Sequence, residues 1–177
     1  FLSIISSPKG VQIGMRNISL STCGLVPKIK ELAQKKLQLT LSVSLHAPIN
    51  EMRSKMMPVN DAYPVEELIA ACREYQAITG RRISFEYSMV RGVNDSPATA
   101  KKLADLIRGM GAHVNLIPIN PVDGSPFTAT DAAAVKRFQE TLTKLGVNAT
   151  VRRRLGTDIS AACGQLRRNA KKEVTVG

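Results

Sequence analysis

Short apolar runs alternate with longer amphipathic stretches along the chain, and turn-forming residues bound most of them. Residues 17–22, 39–45, 82–90, 113–119 and 147–153 read as strands. Between them, residues 27–36, 64–79, 97–110 and 131–145 read as helices. Leu68, Ala71, Cys72 and Tyr75 recur at helical spacing, and Leu103, Leu106 and Ile107 form a second apolar stripe. Ser96 and Asp131 stand where caps belong, Pro27 and Pro97 fall near first turns, and Gly80 stops the helix before it.

Strand–helix alternation with short connections predicts repeated βαβ units around a parallel sheet, hence an α/β fold in a single domain over 1–177. Parallel α/β sheets place their chemistry at the C-terminal ends of the strands. The polar residues expected there are Ser21 and Thr22, Ser44 and His46, Glu86 and Ser88, and Asn115 and Asn120. The stretch 120–130 follows a strand end and reads as a lid or binding loop. Leu2, Ile4 and Ile5 read as the tail of a helix already under way, and the chain opens on Phe1, so we expect it to be part of a longer protein.

Composition narrows the function classes. Hydrophobic residues at 44% and charged residues at 22% are those of a globular domain, not a disordered chain. A formal charge of +11 favours a polyanionic partner, although a merely soluble basic protein would carry it too. No run approaches the roughly 18 apolar residues of a membrane span, and no signal peptide is evident. Cys23, Cys72 and Cys163 are an odd number at wide spacing, which excludes a disulfide framework and any CxxC or CxxxCxxC ligand set. A reducing, cytoplasmic setting follows, and His46 and His113 add too little for a metal site.

Three strand-end segments carry candidate chemistry, each with a plainer reading. Ser19–Ser21–Thr22–Cys23–Gly24 is either a polar turn or a site for hydroxyls such as a ribose. His46, between a strand and Pro48, is either structural or a site residue. Asn120–Pro121 is a turn whose amide can also grip a carboxylate. The tail is more distinctive. Arg152, Arg153, Arg154, Arg167, Arg168, Lys171 and Lys172 bracket Cys163, with Asp158 the one acid among them. Guanidinium groups around a thiol favour its thiolate; the alternative is a small buried cysteine in an Ala-rich turn.

Taken in order, Ser21–Gly24, Ser44–Pro48, Glu86–Tyr87, Val93–Asp95, Asn115–Pro118, Asn120–Pro121 and Ala161–Leu166 resemble the radical S-adenosylmethionine RNA methyltransferases of the RlmN/Cfr family, closer to the RlmN side. The resemblance spans nearly the whole chain. It implies the later part of a partial (β/α)6 barrel over about 1–146, and a C-terminal extension over about 147–177. It implies that Ser21, the Ser44–Leu45–His46 group and Asn120 bind S-adenosylmethionine, and that Cys163 becomes the S-methylcysteine that carries the methyl group. The implied reaction is methylation of adenine C2 in 23S rRNA and tRNA by a monomeric enzyme with a 4Fe–4S cluster. Arg152, Arg153, Arg154, Arg167 and Arg168 would meet RNA phosphates.

The family's CxxxCxxC cluster motif, its Gly-Glu-Pro segment and its second catalytic cysteine have no match in these residues. The resemblance therefore implies a piece that is inactive alone. Three other readings stay open here: a non-catalytic basic RNA-binding fragment, a Cfr-like adenine-C8 methyltransferase, and a metabolic (β/α) barrel enzyme with an ordinary phosphate site.

Overall fold

A computed structural model describes residues 1–120 and 127–152. Its centre is a sheet of five parallel strands in the order β1 (Ser19–Thr22), β2 (Thr40–Ser44), β3 (Ile83–Met89), β4 (His113–Pro118) and β5 (Asn148–Val151). Each strand pairs with its neighbour in sequence, so the sheet grows in one direction, as the wall of a (β/α) barrel does. The crossovers hold α2 (Val26–Gln34), α3 (Asn50–Met56) with α4 (Val65–Thr79), α5 (Pro97–Leu106) and α6 (Ala132–Lys144), and a short α1 (Leu2–Ile5) precedes the sheet.

The side-chain alternation of the strands separates two faces. In β3, Ile83, Phe85, Tyr87 and Met89 are buried, while Ser84, Glu86 and Ser88 alternate with them and are only partly buried. The apolar face joins Leu41 and Val43 of β2, Val114 and Leu116 of β4 and the buried stripes of α2, α4, α5 and α6 in one core. Tyr87 packs its ring against Phe138 of α6, with centroids 5.2 Å apart. Cys72 is fully buried in α4 and belongs to this core.

The expected helix signals act as the residue chemistry requires. Ser96 Oγ accepts from the Thr99 N–H, and Asp131 Oδ1 accepts from the Ala134 N–H, so both cap their helices. Gly80 ends α4 at φ 65, where a side chain would be strained. α5 stops at Leu106, earlier than the expected position near 110; the Met110 N–H then bonds back to the Ile107 carbonyl and closes a turn.

One region departs from the expected pattern. Residues 46–63, which carry no predicted element, contain α3 and a 3₁₀ turn over Pro58–Asp61. The helix Asn-Glu-Met-Arg-Ser-Lys-Met is short and mostly polar, so it has no apolar stripe to reveal it. The strand predicted over 147–153 is present as β5 and extends the sheet past position 146; position 153 lies outside the described residues.

Candidate functional site

The polar face of the sheet carries a register of side chains across neighbouring strands. Ser21, Ser42, Ser84 and His113 stand opposite one another, and one step toward the strand ends so do Ser44, Glu86, Asn115 and Thr150. The members pair among themselves. Ser19 Oγ and Ser42 Oγ are 2.9 Å apart, the Asn115 amide donates to Glu86 Oε2 at 2.8 Å, and His113 Nε2 meets Thr150 Oγ1 at 2.9 Å. Glu86 thus faces the same side as Ser44.

At the mouth of β2 the backbone turns sharply. His46 has φ 60, an uncommon conformation for a residue with a side chain, which persists only when its surroundings determine it. The surroundings do so through hydrogen bonds to the backbone of the turn. The Leu45 and His46 N–H groups both donate to the Glu86 carbonyl, and the Ala47 N–H donates to the Leu45 carbonyl. Asn94, completely buried, donates to the His46 carbonyl at 2.8 Å and to the Ser88 carbonyl at 2.7 Å. The Asn94 Oδ1 accepts from the Val90 N–H, and its carbonyl accepts from the Tyr87 hydroxyl.

The imidazole itself is oriented by a main-chain donor. The Ser88 N–H donates to His46 Nδ1 at 3.0 Å. A nitrogen that accepts an N–H carries no proton, so the ring proton of neutral His46 sits on Nε2. Burial, reinforced by the Arg53 guanidinium, pushes the imidazole down to about 4, which keeps it neutral near pH 7. His46 Nε2 has no hydrogen-bond partner among the described residues and offers one N–H to a ligand.

Behind this turn lies Arg53 of α3, with no solvent exposure. Its Nε donates to the Leu45 carbonyl, its Nη1 to Asn60 Oδ1, and its Nη2 to the carbonyls of Cys23 and Ser44, all at 3.0 to 3.2 Å. Asn60 is 2% exposed and donates in turn to Asn50 and Ser54. Gly24, at φ 104, leaves room for the guanidinium, because a Cβ there would stand 2.9 Å from Nη2. The mouths of β1 and β2 are therefore tied by one cation.

Several residues named from the sequence gather here. Ser21 is exposed one residue before the end of β1, Ser44 ends β2 partly buried, and His46 lies two residues beyond it. Leu45 is fully buried in the core, so its side chain does not reach the polar face. Asn120 is partly buried two residues past β4. Arg152 is exposed and, with Arg91, Lys136, Val135 and Val151, lines a separate cavity of about 540 Å³ beside α6. That cavity includes none of Ser21, Ser44, His46 and Asn120. Cys163, Arg153, Arg154, Arg167 and Arg168 lie outside the described residues, as does 121–126 of the expected loop. Sequence reasoning passed over Arg53 and Asn60; Asn94 stood within a noted motif, without a role.

A metal cluster does not fit these residues. Among the described residues no three His, Cys, Asp or Glu side chains converge. Burial pushes the Cys72 thiol up to about 12, which opposes the thiolate that ligation needs. The strand mouths offer the Ser21 and Ser44 hydroxyls and the His46 Nε2–H, small polar groups of the kind that the hydroxyls, carboxylate and base of S-adenosylmethionine would need.

Over 174 residues, 98% of the chain, the sequence is 49% identical to a probable dual-specificity RNA methyltransferase RlmN from Lachnospira eligens. Over 168 residues it is 53% identical to the corresponding protein of Desulforudis audaxviator. A crystal structure of a radical SAM methyltransferase from Sphaerobacter thermophilus superposes with a TM-score of 0.88 at 50% identity, over 93% of this chain and 48% of that one. The chain belongs to the RlmN family.

It spans about half the length of the curated relatives it matches, 50% and 53% for these two. A domain of a pyruvate-formate lyase-activating enzyme from Bacteroides vulgatus shares the fold, with a TM-score of 0.60 at 16% identity over 76% of this chain and 80% of that one. No family model matches. No helix among the described residues is long and apolar enough to cross a membrane.

Proposed function

We propose that this chain forms the S-adenosylmethionine-binding wall and carries the methyl-bearing cysteine of a radical SAM RNA (adenine-C2) methyltransferase. The observation that carries the reading is the strand-mouth arrangement of Ser21, Ser44 and His46 on one polar face, in a chain about half identical to RlmN relatives. The neutral His46 donates from Nε2 to an acceptor of the ligand. The Ser21 and Ser44 hydroxyls serve its ribose or carboxylate, with Asn120 beyond β4, and Leu45 contributes its main chain alone.

Bound S-adenosylmethionine supplies an electrophilic methyl group and, on reductive cleavage, a radical. Cys163 would be the nucleophile toward that methyl group, its thiolate sulfur taking the carbon that the sulfonium sulfur gives up. The arginines that bracket Cys163 in the sequence would favour the thiolate that this displacement requires. The target adenine leaves its stack to reach the site. The substrates are 23S rRNA and tRNA, held through phosphates by Arg152, Arg153, Arg154, Arg167 and Arg168, and the enzyme acts as a cytoplasmic monomer. Its 4Fe–4S cluster needs a ligand set that the three cysteines of this chain do not form.

In the full-length enzyme, Cys163→Ala should abolish formation of 2-methyladenosine, measured by mass spectrometry of digested RNA. Product at the normal rate would remove Cys163 from the mechanism. The 177 residues alone should bind RNA with an affinity that falls steeply with salt and should transfer no methyl group.

A further inference from the structure

Arg53 presents a problem that the fold alone does not require. A buried guanidinium is costly unless its charge is compensated. Here its acceptors are three main-chain carbonyls and one side-chain amide, and no carboxylate bonds to it among the described residues. The core needs nothing of the kind: α2 and α4 already pack against the sheet through Ile29, Leu68 and Tyr75. An apolar residue in place of Arg53 would take a donor from the carbonyls of Cys23, Ser44 and Leu45 at the strand mouths, leaving Leu45 only the Ala47 N–H.

What the guanidinium holds is specific. Two of its acceptors are the consecutive carbonyls of Ser44 and Leu45, and Asn94 takes the next one, that of His46. The backbone from Ser44 to His46 is thus gripped from behind by two buried side chains. Its N–H groups at Leu45 and His46 are taken by the Glu86 carbonyl of the adjacent strand. With the backbone so fixed at a left-handed His46, the ring reaches the Ser88 N–H with Nδ1 and turns Nε2–H outward. Arg53 has no exposure and touches no ligand itself.

We propose that Arg53 is a positioning residue for S-adenosylmethionine: by forking onto the Ser44 and Leu45 carbonyls, it sets the His46 ring so that Nε2–H donates to the ligand. The proposal rests on the reading of Ser44–His46 as part of the S-adenosylmethionine site. Arginine suits the role because its planar fork spans carbonyls from two strands, whereas a lysine ammonium is a point charge on a flexible stem. Asn60 holds the far side of the fork through Nη1.

The test uses this chain labelled with ¹⁵N-histidine, as wild type, Arg53→Lys and Asn60→Ala, with circular dichroism to report folding. Two quantities are read: the ¹⁵N shifts of the His46 ring, which identify its tautomer, and the affinity for S-adenosylmethionine by equilibrium dialysis. Wild type should show the pure Nε2–H tautomer. Arg53→Lys keeps the charge but loses the fork, so it should show a tautomer mixture and bind S-adenosylmethionine about tenfold more weakly. Asn60→Ala should move both readings in the same direction by less.

A folded Arg53→Lys chain with the wild-type tautomer and affinity would overturn the proposal. If Arg53→Lys does not fold, unchanged readings in Asn60→Ala would overturn it instead. If wild type binds no S-adenosylmethionine, the tautomer shifts alone decide whether Arg53 orients His46, and the ligand reading fails if the full-length enzyme binds S-adenosylmethionine equally well with and without His46→Ala.

Discussion

The two ends of the sheet's polar face are built on different principles. At the mouth of β2, the buried side chains Arg53 and Asn94 spend their hydrogen bonds on backbone carbonyls, and His46 bonds to a backbone N–H. Toward β5, Glu86, Asn115, His113 and Thr150 bond to one another and stay partly open to solvent. The first arrangement fixes a backbone shape; the second makes a polar wall of paired side chains. The two histidines register the contrast. Burial and Arg53 push His46 down to about 4, whereas His113 is lowered more mildly, by burial and then by Arg82. A site that must hold a ligand in one pose profits from the rigid end, because pre-set geometry lowers the ordering cost of binding.

The comparison breaks most visibly at Asn94. Asn94→Ala removes two donors and one acceptor from a completely buried position and strands the His46 and Ser88 carbonyls. A loss of about 3 kcal/mol in unfolding free energy, read from urea titration, is expected. A loss below about 0.5 kcal/mol would mean the turn keeps its shape without it.

Acid should act next, and through the rigid end. Because the folded-state pKa of His46 is lowered to about 4, the unfolded chain binds a proton first as pH falls. The contribution of His46 is intact above its ordinary value of 6.5 and is lost as pH drops from there to about 4. At about 1.4 kcal/mol per pH unit, the loss is on the order of 2 to 3 kcal/mol. Measured in wild type against His46→Gln, the difference in stability should shrink across that interval; a constant difference from pH 7 to pH 4 would contradict a neutral His46.

The smallest effect belongs to the open wall. Glu86→Gln keeps an acceptor for the Asn115 amide and for Ser84 Oγ, so the change in stability should stay within about 1 kcal/mol. A larger loss, read from the same urea titrations, would show that this end is wired as tightly as the other.

Much of the frame was legible in the chain. Strand–helix alternation yields the parallel sheet, and Ser96, Asp131 and Gly80 mark helix ends through local backbone chemistry. Ser21, Ser44 and His46 could be named because parallel strands bring their C-terminal ends to one edge. Arg53 could not. A charged residue in a short polar helix reads as solvent-facing, and its acceptors come from residues 8, 9 and 30 positions away. Asn94 gave a weak sign as part of a motif, but its bond to the His46 carbonyl crosses 48 positions.

The sequence by itself therefore determined the order of the elements, the two-faced strands and the identity of the residues at the strand mouths. Those follow from short-range periodicity and capping, which act over a few residues. The tertiary structure alone decided which nitrogen of His46 carries the proton, that Leu45 turns its side chain into the core, and that Arg53 is a buried tie rather than a surface charge. Each of these depends on hydrogen bonds between distant residues, and those partners exist only once the sheet has brought β1, β2 and β3 side by side.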